Sequence, residues 1–179
     1  VACLVLQDWM APLLSSSGFQ HHQDIVALEY ARKEPPLCAP QEGYAIRMMR
    51  PEDIPAVANV DQASFETIWE LSSEDLQHAR ARCEYRTVVE KDQRICAYQM
   101  STMNGFSAHL ARLAVLPEHQ RHGLGSVLVA DLINYFLVTN HLWAITVNTQ
   151  SDNLASLALY KKKGFRLNGD SYPVYTRSF

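Results

Sequence analysis

Gly123 and Gly125 stand two apart where a strand-like run gives way to a helix-like one, in Leu113-Ala-Val-Leu-Pro117-Glu-His-Gln120-Arg121-His122-Gly123-Leu124-Gly125-Ser126. With no side chain at those points, backbone N–H groups at a helix start can converge on one anion, and the helix dipole adds positive potential. A pyrophosphate suits such a loop. Arg121 supplies a charge beside it, and Pro117 keeps the preceding strand from continuing its ladder. Two other phosphate loops fit poorly. The dinucleotide fingerprint needs a third glycine where Leu128 stands and an acidic residue about twenty positions on, where residues 141–150 hold none. A Walker loop needs Gly-Lys-Ser/Thr, which does not occur. A second group, Asn153, Ser156 and Tyr160, spans two turns of one helix face and can line an elongated ligand. An amide there suits a ligand rich in amides, and a phenol can donate to a sulfur at its end. On spacing alone, Tyr160 could equally pack in the core with Phe165.

These strings resemble the signatures of the GNAT family of N-acetyltransferases, nearest in pattern to its RimI-like N-alpha-acetyltransferases. Gln120-x-x-Gly123-x-Gly125 matches the acetyl-CoA signature, and Asn153-x-x-Ser156-x-x-x-Tyr160-x-x-x-Gly164-Phe165 matches the second. The resemblance runs over residues 44–179. It implies an α/β fold of the acyl-CoA N-acyltransferase type, whose mostly antiparallel sheet splays between its fourth and fifth strands. It also implies acetyl-CoA as co-substrate and direct attack by a primary amine in a ternary complex. The backbone of Leu113, Ala114 and Val115 would then pair with pantetheine, and the N–H of Leu113 or Ala114 would face the acetyl oxygen. Gln120, Arg121, His122, Gly123, Leu124, Gly125 and Ser126 would hold the pyrophosphate. Asn153 and Ser156 would line the arm, and Tyr160 would protonate, or hydrogen-bond to, the departing thiolate.

An alkylammonium cannot attack, so the amine must be neutral. An α-amino group with a pKa of about 7.7–8.0 needs less help than a lysine at about 10.4. His109 aligns with the position where histone acetyltransferases of this superfamily carry a catalytic glutamate, and histidine has suitable basicity. Glu66 is the second candidate base. It lies in Ser64-Phe65-Glu66-Thr67-Ile68-Trp69, which resembles the S-F-x-x-x-W segment of the RimI-like group, and Phe65 and Trp69 would wall the acceptor pocket. Ile68 replaces the proline usual before that tryptophan, and Cys96-Ala97 lacks the glycine common in the third strand. A different class of function is a GNAT-fold module that binds acyl-CoA without turnover, as a sensor or interaction partner. Lys161-Lys162-Lys163 invites a phosphate reading, although such a run is more often the solvated end of a helix.

The elements that position these residues are legible in outline. The chain of 179 residues, 47% hydrophobic and 20% charged, is long enough for one globular domain with a core. A net charge of −3 from interspersed signs leaves no footprint for nucleic acid. No apolar stretch has the length of a membrane span, and the apolar start lacks a basic leader, so neither a span nor a signal peptide is expected. Cys3, Cys38, Cys83 and Cys96 are far apart, which predicts a reduced, cytoplasmic protein, and the scattered histidines predict no metal site. Strands are expected at 44–49, 85–90, 95–100, 108–115 and 142–147, helices at 56–65, 70–81, 123–138 and 153–163, and a strand pair from Phe165 to Phe179 turning at Gly169-Asp170. Residues 33–43, with three prolines, read as a linker.

Before the linker, residues 1–6 read as a buried strand, 8–17 as a short helix and 24–30 as a strand. Gly18-Phe19 leads to Asp24 just as Gly164-Phe165 leads to Asp170. Residues 1–32 thus look like the last strand-helix-strand portion of a second GNAT unit, and the chain like the C-terminal part of a tandem protein. The alternative is an extension that pads the sheet or forms a homodimer contact. Either way, Ile25 to Tyr30 carries an apolar strand edge that needs a partner.

Overall fold

The computed structural model describes residues 1–31, 34–36 and 42–177; most of the stretch 33–43 expected as a linker, Cys38 and the chain's last two residues lie outside them. In chain order the elements are β1 (Ala2–Leu4), α1 (Met10–Ser16), β2 (Gln20–Tyr30), β3 (Ala45–Met48), α2 (Ile54–Ser64), α3 (Ser73–Arg82), β4 (Tyr85–Lys91), β5 (Arg94–Asn104), β6 (Ser107–Val115), α4 (Leu124–Asn134), β7 (Ala144–Gln150), α5 (Leu154–Lys163) and β8 (Phe165–Thr176). The strands form one eight-stranded sheet in the order β1-β8-β2-β7-β6-β5-β4-β3. Every neighbouring pair is antiparallel except β6 and β7, which run parallel.

Alternation along the strands divides the core into two layers. On one face Leu28, Ile145 and Val147 pack with Val129, Leu132, Ile133 and Phe136 of α4 and the turn after it. On the other, Val57 and Val60 of α2 and Leu76 of α3 pack on Val88, Tyr98 and Met100. Local signals set the helix starts. Asp75 N–H donates to Ser72 Oγ at 3.1 Å while Ser72 N–H donates to Asp75 Oδ2 at 3.3 Å, a capping box that starts α3. Ser156 N–H donates to Asn153 Oδ1 at 3.0 Å and starts α5.

Several elements differ from the sequence expectation. Residues 165–176 form one strand rather than a pair: Val26 pairs with Ser171 but Leu28 with Leu167, so Asn168, Gly169 and Asp170 bulge from the ladder, with Gly169 at φ 98°. The strand expected at 142–147 begins two residues later and reaches Gln150, because Leu142 is buried ahead of it while Trp143 stacks on the exposed Phe106. Helix α4 ends at Asn134 and widens into a turn over Tyr135–Thr139, closed by Asn140 N–H donating to Tyr135 O at 3.2 Å. The buried strand expected at residues 1–6 is a three-residue edge strand with Leu4 and Leu6 exposed and Val5 buried.

The N-terminal segment is built into this sheet. Strand β2 lies between β7 and β8, which accounts for the apolar run from Ile25 to Tyr30: Leu28 is 0% exposed and Tyr30 packs edge-on against Phe165. The helix-Gly-Phe-strand pattern also occurs twice in space, as α1-Gly18-Phe19-β2 and α5-Gly164-Phe165-β8, and the two strands pair antiparallel. Because Leu28 is wedged into the core of residues 44–177, Leu28→Ala is expected to destabilise the whole chain by about 2–5 kcal/mol in urea unfolding. A single cooperative transition should be retained, whereas two separate transitions would show the segment to be an independent unit.

Candidate active site

The site begins where a ladder stops. Strands β6 and β7 pair only from Ser107 with Ala144 to Leu110 with Val147, and beyond that they diverge. The register of β6 on β5 also shifts, from Ser101 opposite Leu110 to Met100 opposite Arg112, leaving Ala111 as the extra residue of a bulge. Past the bulge, Leu116 N–H donates to Cys96 O at 2.9 Å. Alternation in an antiparallel ladder then assigns the backbone of Arg112 and Ala114 to β5 and turns that of Leu113 and Val115 into the gap. Of the two N–H groups expected at an acetyl oxygen, Leu113's faces the gap and Ala114's is held by the sheet. Two side chains already donate to the carbonyl of Val115, Ser64 Oγ and Gln120 Nε2, each at 3.1 Å.

A cavity of about 740 Å³ extends from this gap over the glycine loop. Gly123 opens α4 at φ 79°, a left-handed conformation that glycine adopts without strain. Gly125 sits at a tight contact: an added Cβ would lie 3.2 Å from the Leu159 side chain, which would have to shift, where α4 meets α5. Leu113, Ala114, Val115, Gln120, Arg121, Gly123, Leu124, Gly125, Ser126, Asn153 and Ser156 all line the cavity, as do Phe65, Glu66 and Trp69. His122 does not. Its Nδ1 lies 3.0 Å from the Gln120 carbonyl. Lys162 joins the cavity rim, so one lysine of the run expected to be solvated faces the site.

Tyr160 lines a second, adjoining cavity of about 260 Å³ with Asn153 and Ser156, so the expected helix face is formed. The phenol is 5% exposed, and burial raises its pKa above the ordinary tyrosine range, which keeps the proton on the oxygen. Its hydroxyl has no hydrogen-bond partner among the described residues, while its ring leans on Phe165 at 5.8 Å. The ring therefore packs in the core while the residue also lines the cavity. Asn153 uses its carbonyl oxygen as the cap of α5 and donates one amide N–H to Gln150 Oε1 at 3.4 Å, which leaves the other N–H for a guest.

The two candidate bases part company. Glu66 is exposed on the wall of the larger cavity, in the turn that follows α2. His109 lines neither cavity. It sits opposite Thr146 in the parallel ladder, with Nδ1 2.9 Å from Thr146 Oγ1, and that hydroxyl donates to Ala108 O at 3.3 Å. Burial lowers its pKa, favouring the neutral ring.

A charged cluster behind the α2–α3 loop escaped the sequence reading. Arg112 donates from Nε to Asp61 Oδ2 at 2.6 Å and from Nη2 to Asp61 Oδ1 at 2.7 Å and to the Trp69 carbonyl at 2.6 Å. Its guanidinium lies 3.8 Å over the Phe65 ring. Tyr98 donates its hydroxyl to the same carboxylate, and Leu71 N–H donates to Asp61 Oδ1 at 2.9 Å. The only sequence signal is one aspartate following Val57 and Val60 on an otherwise apolar helix face. Such a residue has meaning only once its partner on β6 is known.

The profile of the acetyltransferase (GNAT) family matches residues 54–165, which span α2 to the first residue of β8 and include the gap, the glycine loop and α5. The chain belongs to the GNAT acetyltransferase family. It is 28% identical over 121 residues to the [ribosomal protein bS18]-alanine N-acetyltransferase of Salmonella typhimurium, covering 67% of this chain and 79% of that one. A GCN5-related N-acetyltransferase from Sphaerobacter thermophilus superposes with a TM-score of 0.75 at 12% identity, over 98% of this chain but only 58% of that protein. A tandem GNAT protein from the clavulanic acid biosynthesis pathway gives 0.71 at 15% identity, over 99% of this chain and 64% of its own. These two likenesses concern the fold. The GNAT sheet expected from the sequence is present, splayed between β6 and β7, the fourth and fifth strands from β3. Residues 1–53, including β1, α1 and β2, precede the matched region. Among the described residues no group of three His, Cys, Asp or Glu side chains could hold a metal ion, and no helix is long and apolar enough to cross a membrane.

Two predictions follow from these environments. Asp61 is 0% exposed, so Asp61→Ala strands the Arg112 charge and is expected to cost about 3–5 kcal/mol in urea unfolding, whereas an exposed pair would cost under about 1. His109 binds its proton more weakly when folded than the unfolded chain does. Its contribution to stability is therefore complete above about pH 6.5 and lost as pH falls below that value through the lower folded-state pKa. His109→Gln should flatten that part of the stability-pH curve, and an unchanged slope would show that His109 is not its source.

Proposed function

We propose that this GNAT chain transfers the acetyl group of acetyl-CoA to a primary amine: a protein N-terminus, a lysine or a small-molecule amine. The observation that carries this reading is the end of the β6–β7 ladder at Leu110, past which alternation turns the backbone of Leu113 into the gap, beside a cavity lined by the neutral Tyr160. The fit to an acyl-CoA rests on the chain's own groups. An elongated amide-bearing arm would find strand-like partners at Leu113 and a donor at Asn153, and a pyrophosphate would find Arg121 and the start of α4. Acetyl-CoA supplies an acetyl group activated as a thioester.

In this reading the amine approaches from the side of Phe65 and Trp69. Glu66, which lines the cavity, accepts its proton directly or through water, while His109 acts, if at all, from outside both cavities. Leu113 N–H donates to the oxygen that gains charge during attack, and Tyr160 donates its proton to the departing sulfur. Leu113, held by the sheet on one side and the bulge on the other, needs little reorganisation to do so. The Salmonella relative is named for an alanine of ribosomal protein bS18, which supports beginning an amine screen with peptide α-amines. Absence of a buried base on the cavity wall favours the second reading, an acyl-CoA-binding module without turnover.

We also propose the tandem origin. Exchanging β1-α1-β2 with β7-α5-β8 leaves the strand order β1-β8-β2-β7 unchanged, as it would if residues 1–32 ended an upstream GNAT unit, residues 33–43 linked the two and residues 44–179 formed the complete domain. The much longer tandem relative supports the same reading, and the coding sequence upstream of Val1 tests it. A cytoplasmic location remains part of the proposal.

Calorimetric titration with acetyl-CoA is expected to show micromolar binding that Gly125→Glu abolishes, because the new side chain meets Leu159 and fills the loop. Tyr160→Phe should keep that binding and lower kcat by about 10²-fold or more. Binding with an unchanged rate in Tyr160→Phe would remove Tyr160 as the acid. Binding with no transfer by the unmodified chain would favour the second reading.

A further inference from the structure

The N-terminal strands face the acceptor side of the gap. Leu4 of β1 pairs with Val174, which pairs with Gln23 of β2, and Ile25 of β2 pairs with Gln150. Paired residues share a face, and Val26 and Leu28 are turned to the α4 and α5 side. Leu4, Gln23 and Ile25 therefore point to the opposite side, toward the α2–α3 loop. Leu4 and Ile25 line the smaller cavity with Phe65, Trp69 and Tyr160, and Gln23 lines the larger one.

Two donors on these walls lack partners. Gln23 Nε2 and Trp69 Nε1 are buried, and neither has a hydrogen-bond acceptor among the described residues. Native structures seldom leave such groups unmatched, and a carbonyl oxygen of a guest between the two walls would match them. The rest of the lining limits what that guest can be. No carboxylate lines the smaller cavity, and its one charged residue, Arg112, is already paired with Asp61. In the smaller cavity a polyamine's second ammonium would have no counter-charge, because the carboxylates Glu66 and Asp152 line only the larger one. An amine with an adjacent carbonyl and an apolar side chain leaves nothing unpaired.

Resting on the acetyltransferase reading, we propose that β1 and β2 form the acceptor-selecting wall of this enzyme. Gln23 donates to the carbonyl beside the reacting amine, as in an α-aminoacyl amide or a peptide N-terminus, and Leu4 and Ile25 hold the apolar side chain. These residues lie outside the family-matched region, so they set the acceptor of this chain without altering the acetyl-transfer site.

Leucinamide and 3-methylbutylamine test this with the full chain, since they share the alkyl chain and only the first has the carboxamide. Gln23→Met is expected to raise KM for leucinamide about 3–10-fold, leaving 3-methylbutylamine and the acetyl-CoA Kd unchanged. Leu4→Ala, at a half-exposed edge position that leaves folding intact, should raise KM for both amines and not for glycinamide. Equal effects of Gln23→Met on both amines would overturn the assignment. So would weakened acetyl-CoA binding with amine KM untouched, which would put Gln23 on the co-substrate. A wild-type preference for spermidine over leucinamide would overturn the substrate class. Acetyl-CoA binding with no transfer to any amine would instead sink the acetyltransferase reading on which the assignment rests.

Discussion

The parallel ladder between β6 and β7 ends at Leu110 and Val147, and the site depends on that ending. Backbone N–H and C=O groups facing a gap must find partners elsewhere, because leaving them buried and unmatched is costly. Here the Val115 carbonyl takes two side-chain donors, Ser64 and Gln120, and Leu113 is left to a guest. The bulge at Ala111 makes this possible. It changes the parity of β6, so that Ala108 and Leu110 pack toward α4 before it, while Arg112 and Ala114 face α2 after it. One extra residue thus serves the core on one side of the sheet and the α2–α3 loop on the other.

Arg112 then holds that loop in place. Its bonds to Asp61 and the Trp69 carbonyl, with Phe65 stacked beneath it, tie the end of α2 to β6 through charge-assisted contacts. Replacement of such a pair by apolar groups can be neutral in stability, whereas loss of one partner is not. What the cluster contributes is position. It places two aromatic walls beside the gap and leaves Glu66 directed to the cavity.

The far side of the gap is supplied from the other end of the chain. Strand β7 would be a sheet edge without β2, with the row from Ala144 to Gln150 unpaired. Insertion of β2 closes that edge and carries Leu4, Gln23 and Ile25 to the cavities. The apolar strand that completes the core and the residues proposed to face an amine are therefore parts of one segment. That coupling is natural in a strand, whose successive side chains alternate between the two faces.

The residues of the proposed site were legible from local spacing. Gly123 and Gly125 mark a helix start, and Asn153, Ser156 and Tyr160 share one helix face, because both patterns are set by the helix period within a few residues. The family resemblance, the meander from β3 to β6, and the splay followed from the same local strings. Long-range pairing decided the rest. The sequence of residues 165–179 reads as two strands because Asn-Gly-Asp is good turn chemistry, yet pairing with β2 absorbs those residues as a bulge. Asp61 looks like a misplaced polar residue until Arg112 arrives from β6. His109 shares the strand of Leu113, but the bulge between them, together with its contact to Thr146, leaves it off both cavity walls. Residues 1–31 carry no cofactor motif, and only their insertion between β7 and β8 brings them to the site. Local helix and turn chemistry is encoded within a few residues, whereas which strand lies beside which is settled by burial of both faces of the sheet at once.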